Sequence, residues 1–272
     1  MRPARGAGIG PGGEMRRKLP FLRWSVIRMA LGARHLLRTW QVGDGREEAL
    51  ARHVLAHARQ GSVADVIRVI DAFSYERSLL MNVGDEKGAI LDAAVARAGA
   101  RRILELGTYC GYSAARIAAA APDARVVTVE WSAANAGIAR RILGHAGVLD
   151  RVEVVVGSLG DGATVDALAR DHGLAPGAVD LVFLDHDKDA YLPDLERILA
   201  AGWLRTGGLV VADNVGFPGA PAYRAYMRER EGTRWRTIEH RTHAEYQTLV
   251  RDLVLVSELL PSVSAPAAAS RS

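Results

Sequence analysis

Oxygen-bearing side chains stand where two successive apolar runs of the chain end. Asp185 ends one run, and Asp213 with Asn214 ends the next. Carboxylate and amide oxygens are the ligands that a hard cation such as Mg²⁺ prefers, with water completing the shell. A soft-metal site would contain more cysteine or histidine. The pattern predicts a metal site at these three residues; the alternative is that the acids only cap the helices that follow.

A lysine follows this predicted site closely. Lys188 lies three residues after Asp185. A nearby dication disfavours the charged form of an ammonium group, so the pKa of Lys188 should fall. Such a lysine can act as a general base on a hydroxyl group, whose own pKa a metal would also lower. The alternative is a surface lysine paired with Asp187 or Asp189.

A glycine-containing turn follows the first apolar run. Residues 105–113 read ELGTYCGYS, and a helix is predicted to begin directly afterwards. Gly107 and Gly111 allow close approach of a ligand, and the free N–H groups of a helix start can bind a carboxylate. The spacing is not GxGxxG, and no basic residue accompanies it, which suits an amino-acid moiety rather than a pyrophosphate. The alternative is a tight strand-to-helix turn without a ligand.

An acid ends the second apolar run. Glu130 lies 23 positions after Gly107, where a carboxylate can accept the hydroxyl groups of a ribose. Trp131 follows and either flanks an adenine or covers the edge of the core. The two strand ends together predict a nucleoside-containing cofactor.

The elements that must position these residues alternate along the chain. Short apolar runs typical of strands buried on both faces occur at 102–106, 126–130, 152–156, 181–185 and 209–213. Helical patterns occur at 46–60, 62–75, 86–98, 112–121, 133–145, 163–172, 191–201 and 220–230. Two later runs, 234–239 and 249–257, suit an antiparallel edge. The pattern predicts an α/β fold: a Rossmann-like, doubly wound, mostly parallel seven-stranded sheet with helices on both faces.

Composition limits the classes of protein. The chain has 272 residues and a single cysteine, Cys110, so an intrachain disulfide framework is excluded and a cytoplasmic protein is expected. Residues 1–40 carry a net charge of +8, against +4 for the whole chain, so the remainder carries −4. A nucleic-acid enzyme usually has its basic surface on the folded domain, and we therefore expect no nucleic-acid partner.

Three regions are predicted: a basic, partly disordered arm at 1–40, one domain at 41–260 and a disordered tail at 261–272. Within the arm, 19–39 is apolar but interrupted by four arginines, which makes a bilayer-spanning helix costly. This segment fits a helix on an anionic membrane surface or a helix packed on the domain, and membrane association is left open.

Four motifs in order resemble the catechol O-methyltransferase family. They are MNVGDEKG at 81–88, LELGTYCGYS at 104–113, FLDHDKD at 183–189 and ADNV at 212–215. The resemblance covers roughly residues 53–259 and implies a class I methyltransferase fold with S-adenosylmethionine as methyl donor and Mg²⁺ as metal.

The resemblance also implies roles for individual residues. Lys188 matches the catalytic base, Glu245 the group that holds the second hydroxyl of a catechol, and Pro218 a residue that lines the substrate slot. Asp185, Asp213 and Asn214 match the metal ligands. Including the assignments made above from the residues, the expected cofactor-binding set is Met81, Val83, Glu105, Gly107, Tyr109, Ser113, Glu130, Trp131, Ser158, Asp185 and His186.

Two positions depart from the family pattern. The family walls its substrate slot with tryptophans where this chain has Leu79 and Asp187. An aromatic wall stacks a flat ring, so its loss should loosen selection for the ring. Asp187 either favours a cationic substrate at the mouth of the slot or forms an outward ion pair.

The resulting expectation is Mg²⁺-dependent methyl transfer from S-adenosylmethionine to one hydroxyl of a catechol-type substrate. Alternatives are another vicinal phenol, such as a caffeoyl ester or a polyketide hydroquinone, and a non-catalytic cofactor-binding interaction protein. A dehydrogenase is disfavoured because GxGxxG is missing. The expected partner is a small phenolic molecule, while the natural substrate, the hydroxyl that is methylated and the oligomeric state do not follow from the sequence.

Overall fold

A computed structural model of the protein describes residue 41 and residues 43–261. The predicted arm at 1–40 lies outside the described residues, as does nearly all of the predicted tail at 261–272. Within the described ranges, no helix combines the length and the apolar character needed to cross a membrane.

Seven strands form one sheet in the order β3-β2-β1-β4-β5-β7-β6. The strands are β1 (Arg102–Leu106), β2 (Arg125–Glu130), β3 (Val152–Val156), β4 (Val179–Leu184), β5 (Leu204–Ala212), β6 (Trp235–His243) and β7 (Arg251–Leu259). The first five are parallel to one another, whereas β7 is antiparallel to β5 and β6 is antiparallel to β7. The predicted fold class is confirmed, including the antiparallel edge.

The helices follow the predicted alternation. They are α1 (Arg46–His57), α2 (Val63–Glu76), α3 (Gly84–Ala98), α4 (Tyr112–Ala120), α5 (Ala133–Ala146), α6 (Gly162–Asp171), α7 (Tyr191–Ala200) and α8 (Pro221–Glu229). A 3-10 turn, Lys188–Ala190, and a π-turn, Val215–Gly219, follow the ends of β4 and β5.

The core has two layers, because successive strand residues face opposite sides of the sheet. Ile103 and Phe183 pack on one side with helices α1 to α5. Leu104 and Leu184 pack on the other side with helices α6 to α8. Burial of both faces explains why these strands read as continuous apolar runs rather than as alternating ones.

Element ends differ from the predicted ends by a few residues, and most at β5. This strand begins at Leu204, whereas its apolar run begins at 209. Gly207 and Gly208 lie inside it, and the pairing with β4 shifts register there. Ser62 caps α2: its hydroxyl accepts a hydrogen bond from the Asp65 N–H at 3.4 Å.

A half-buried carboxylate connects α2 to two distant tyrosines. Asp71 accepts hydrogen bonds from the hydroxyls of Tyr112 at 2.6 Å and Tyr246 at 3.0 Å. Burial raises the pKa of Asp71 to about 6, against the lowering effect of these bonds. Tyr246 directly follows Glu245, so this contact fixes the loop that carries a predicted catalytic residue.

Asp71→Asn should make the stability of the protein less dependent on pH. The folded-state pKa of about 6 lies above the unfolded value of about 3.9, so protonated Asp71 contributes stability that is present below pH 4 and lost as the pH rises through 6. An asparagine can still accept both tyrosine hydrogen bonds. Urea unfolding from pH 4 to 7 should therefore show the variant gaining on the wild type as the pH rises.

The matched control is Asp65→Asn on the same helix. Hydrogen bonds from the Arg59 N–H and the Arg68 side chain hold the pKa of Asp65 below its ordinary value, so this variant should lose ground as the pH rises. A constant difference between Asp71→Asn and the wild type from pH 4 to 7 would contradict the assignment.

Candidate active site

A cavity of about 610 Å³ lies at the carboxyl ends of the parallel strands. Its size is ordinary for a small-molecule site, and its position is where α/β sheets bind ligands. Fifteen of the predicted site residues line it: Leu79, Met81, Gly107, Tyr109, Ser113, Glu130, Trp131, Ser158, Asp185, His186, Asp187, Lys188, Asn214, Pro218 and Glu245. The structure thus brings together residues that are separated by up to 166 positions in the sequence.

Three predicted site residues lie outside this lining. Val83 is buried in the core layer beneath the first five helices. Glu105 and Asp213 are fully buried. The roles predicted for these three residues stay predictions. Any effect that they have on a ligand would pass through the residues that line the cavity.

The glycine at the end of β1 is required by packing. Gly107 has φ 101°, and a Cβ there would overlap the carbonyl of Asp185, which directly follows β4. Any larger residue would therefore push apart the two strand ends that carry the cofactor turn and the acidic cluster.

The carboxylate of Glu130 binds backbone groups at the floor of the cavity. Its Oε2 accepts a hydrogen bond from the Tyr109 N–H and its Oε1 one from the Ser132 N–H, both at 2.8 Å. Burial raises the pKa of Glu130, and these bonds oppose the shift. The Asn135 side chain and the Thr108 N–H also act to lower the pKa, so a ligand hydroxyl would share the carboxylate with these donors.

Glu105 lies beneath the same turn. Burial raises the pKa of this carboxyl to about 7, with the Ser113 and Thr128 hydroxyls acting against it. Among the described residues, neither of its oxygens has a hydrogen bond of good geometry. With a pKa near neutrality, the carboxyl can either accept or donate a hydrogen bond at this position.

Helix α1 holds two parts of the cavity wall, which the sequence did not indicate. The buried Arg46 guanidinium donates to the carbonyl of Leu79. The Tyr109 hydroxyl donates to Glu47 Oε1 at 2.9 Å. Both bonds fix backbone or side-chain atoms at the predicted methionine end of the cofactor.

The two ring nitrogens of His186 have different surroundings. Its Nε2 lies 2.9 Å from Asp194 Oδ2, and the ring stacks on Tyr191 with centroids 5.1 Å apart. Its Nδ1 is buried and has no hydrogen-bond partner among the residues described. This arrangement presents a fixed imidazole to the cavity at the predicted adenine end.

A buried ammonium group lies among the acids at the ends of β5 and β7. Lys87 Nζ is 2.8 Å from Asp213 Oδ2 and 3.0 Å from Asp252 Oδ2, and it also contacts Glu245 Oε1. Burial alone would lower the pKa of Lys87, but the charges of Asp213, Glu245 and Asp252 raise it well above its ordinary value. Lys87 is therefore a permanent cation in this cluster.

The acids beside Lys87 respond in different ways. Burial raises the pKa of Asp213 to about 8, Lys87 opposes this, and the charges of Asp185 and Glu245 add to it. Burial acts in the same direction on Glu245, but Lys87 and the Asn214 amide hold the pKa of Glu245 below its ordinary value. The negative charges of these carboxylates therefore still repel one another, although Lys87 lies among them.

Lys188 provides the second cation. Its Nζ donates to Asp185 Oδ1 at 3.0 Å and to the Tyr191 hydroxyl at 2.7 Å. The predicted alternative, a pair with Asp187 or Asp189, is not what the structure contains; those two residues instead form the cap of the 3-10 turn. With two of its three N–H groups committed, Lys188 has one left to face a ligand.

The cluster carries excess negative charge. In the described part of the chain it consists of four carboxylates (Asp185, Asp213, Glu245, Asp252) and two ammonium groups (Lys87, Lys188), which gives a formal charge of −2 when every group is ionised. The pKa of about 8 keeps the Asp213 carboxyl mostly protonated at neutral pH, which brings the charge close to −1. The Asn214 Nδ2 donates to Glu245 and Asp252, both at 2.9 Å, so its amide oxygen is the atom available to a cation. Residues 43–261 contain no cluster of three His, Cys, Asp or Glu side chains in metal-binding geometry. The predicted set has only two carboxylates, with an amide as the third ligand.

Known proteins resemble this chain over most of its length. The O-methyltransferase family model matches residues 64–234. A probable O-methyltransferase of Mycobacterium tuberculosis is 63% identical over 233 residues, which is 85% of this chain and all of that protein. Catechol O-methyltransferase B of Danio rerio is 42% identical over 202 residues, 74% of each chain. The crystal structure of an O-methyltransferase from Bacillus cereus in complex with SAH has a TM-score of 0.56 at 26% identity, covering 72% of this chain and 90% of that one.

Lys87→Met should destabilise the protein strongly, because it leaves buried carboxylates without their cation. We expect a loss of about 3–5 kcal/mol in the free energy of unfolding, measured by urea denaturation with chelator present. The control is Arg141→Met, which removes an ion pair with Glu48 in which both side chains are over 40% exposed; it should cost about 0–1 kcal/mol. Equal losses for the two variants would show that the cluster does not depend on Lys87.

Proposed function

Because this chain belongs to the O-methyltransferase family and is an S-adenosylmethionine-dependent O-methyltransferase, we propose that it methylates one hydroxyl of a catechol-type substrate with the help of Mg²⁺. One observation carries this proposal: among the residues described, four carboxylates at the cavity are accompanied by two lysines, Lys87 and Lys188, so the cluster has an excess of acidic groups. A dication neutralises such a cluster, and two vicinal hydroxyls can share it. Catechol O-methyltransferases are among the relatives.

The cavity suits S-adenosylmethionine in size and in its polar groups. Met81, Tyr109 and Ser113 would adjoin the methionine moiety, and the Glu130 carboxylate would accept the ribose hydroxyls. The adenine would lie near Ser158, the orphaned Nδ1 of His186 and the Trp131 ring, which is 55% exposed.

The donor set also suits Mg²⁺. Asp185, Asp213 and the amide oxygen of Asn214 are hard oxygen ligands. The buried Asp213 Oδ2 has no hydrogen-bond partner among the described residues and only the Lys87 charge beside it, which supports a place for a second cation. When bound, Mg²⁺ would lower the pKa of a phenolic hydroxyl, ordinarily about 10.

Two side chains would then handle the substrate hydroxyls. Lys188, oriented by Asp185 and Tyr191, would first release a proton to solvent, which a dication beside it would favour. Its neutral amine would then take the proton of the hydroxyl that is to be methylated. Glu245 has its Oε1 committed to Lys87 and Asn214. Its Oε2 would accept the hydrogen bond of the second hydroxyl, which fixes the ring.

The transfer balances without a further reactant. The deprotonated hydroxyl oxygen forms a bond to the methyl carbon while the carbon–sulfur bond of the sulfonium breaks, and sulfur keeps the electron pair. The products are a methyl ether and S-adenosylhomocysteine, and the proton remains on Lys188. Alignment and charge neutralisation would supply most of the rate gain.

An aromatic residue that the sequence did not single out adjoins the substrate end. Phe217 lines the cavity beside Pro218 and is 51% exposed, although its side chain is apolar. It supports a flat aromatic acceptor despite Leu79 and Asp187 at the places of the family's tryptophans. A caffeoyl ester or a hydroquinone fits the same reasoning, and product analysis over a phenol panel would distinguish them.

Methyl transfer from labelled S-adenosylmethionine to catechol tests the reaction. With Mg²⁺ we expect labelled methyl ether, and with excess chelator we expect labelling to be lost and then restored by added Mg²⁺. Full transfer in chelator would refute the metal dependence. Cofactor binding without transfer to any diphenol would refute the proposed acceptor.

Phe217→Ala should weaken substrate binding more than chemistry. Loss of ring stacking should raise the KM for catechol about tenfold, with a smaller effect on kcat, as measured in steady-state kinetics. Phe217→Trp should stay near the wild-type KM. Leu249→Ala is the control, because Leu249 is equally exposed but outside the cavity lining; equal KM values for the two alanine variants would exclude Phe217 from the slot.

A further inference from the structure

A buried carboxylate on β7 binds the backbone of the loop that carries Phe217 and Pro218. Asp252 is the second residue of the strand and is 4% exposed. Its Oδ1 accepts hydrogen bonds from the N–H groups of Gly216 at 3.2 Å, Phe217 at 2.8 Å and Leu253 at 2.7 Å. Two of these donors belong to the loop that carries Phe217 and Pro218.

The other oxygen of the same carboxylate faces the acidic cluster. Asp252 Oδ2 accepts hydrogen bonds from Asn214 Nδ2 at 2.9 Å and Lys87 Nζ at 3.0 Å. The Asn214 amide is thereby oriented with its nitrogen towards Asp252 and its oxygen elsewhere. Five donors converge on one side chain, which does not itself line the cavity formed within residues 43–261.

The loop follows the position of β7 closely. A Cβ on Gly216 would lie 2.9 Å from the Leu253 nitrogen and 3.1 Å from the Leu253 Cβ, closer than side chains approach a backbone. The loop therefore packs directly on the strand, and a shift at Asp252 would be passed on to Phe217 and Pro218.

We propose that Asp252 is a positioning residue that sets the Phe217–Pro218 wall and the Asn214 amide relative to each other. Substrate ring and cation site are then held in register by a single carboxylate. Both halves rest on the proposed function: the substrate half on the phenolic acceptor, and the cation half on the Asn214 amide oxygen as a metal ligand, which the Mn²⁺ measurement tests without turnover.

Asp252→Asn affects the two sets of contacts made by this carboxylate differently. The amide oxygen can still accept the three backbone N–H groups, but the amide nitrogen would face two other donors, Asn214 Nδ2 and Lys87 Nζ. Since donors cannot bond to one another, the Asn214 side chain must turn or move. A shift of the Asn214 cation ligand should follow, and catechol, which would share that cation, should bind less well, while the slot wall keeps its backbone hydrogen bonds.

The matched control is Asp180→Asn. Asp180 accepts hydrogen bonds from the backbone N–H groups of Arg101 at 2.8 Å and Arg102 at 2.9 Å, and from the Arg205 side chain at 2.6 Å. It thus combines backbone donors and a cation as Asp252 does, but at the opposite end of the strands. Removal of its charge should affect stability only.

Three measurements on the full chain test the inference. They are Mn²⁺ affinity by electron paramagnetic resonance, catechol binding to the protein with S-adenosylhomocysteine and Mg²⁺ by calorimetry, and steady-state kinetics. For Asp252→Asn we expect tenfold or greater losses in Mn²⁺ and catechol affinity and a raised KM, with S-adenosylhomocysteine affinity within twofold. Asp180→Asn should keep all these values within twofold.

A second variant covers the case in which Asp252→Asn does not fold. Gly216→Ala pushes the loop from β7 but keeps the carboxylate, so the KM should rise while Mn²⁺ affinity stays within twofold. An unchanged KM in Gly216→Ala, or an Asp252→Asn variant that behaves like Asp180→Asn, would overturn the inference. If the wild type methylates no diphenol, the proposed function fails, and the Mn²⁺ comparison still decides the role of Asp252.

Discussion

The buried ammonium of Lys87 is the interaction on which the substrate end of the site depends. Taking a carboxylate out of water is costly unless an opposite charge accompanies it, and Asp213 and Asp252 are both almost fully buried. Lys87 reaches these acids and Glu245 from α3, so the helix is tied to β5, to β7 and to the loop before β7. Without it, the strand ends could not bring this many acids together.

The arrangement of the two lysines also explains why the cluster has more acidic than basic groups. One lysine satisfies the structural acids on the β7 side, and a second, Lys188, is bound to Asp185 on the β4 side. The remaining negative charge lies between them. Under the proposed function, the same carboxylates contribute both to the stability of the fold and to the binding of a cation.

Much of the fold was predictable because parallel strands that are buried on both faces appear in the sequence as short continuous apolar runs. The strand ends were predictable too, and with them most of the cavity lining, from Gly107 to Asn214. Lys87 was not, since a lysine in a helix pattern normally implies a solvated face. Asp252 was hidden inside an apolar strand run, and Phe217 lies in a π-turn that has no periodic signature. The positions of all three residues result from contacts between segments that are far apart in the sequence, which no local pattern reveals.

Helix α1 contributes to the cavity wall from outside the family match. Arg46 and Glu47 hold the Leu79 carbonyl and the Tyr109 hydroxyl, yet both precede residue 64, where the family match begins. Two contacts that fix the cavity wall thus come from a segment ahead of the family match. A substitution in this leading segment would loosen the cavity wall without altering any residue of the sheet.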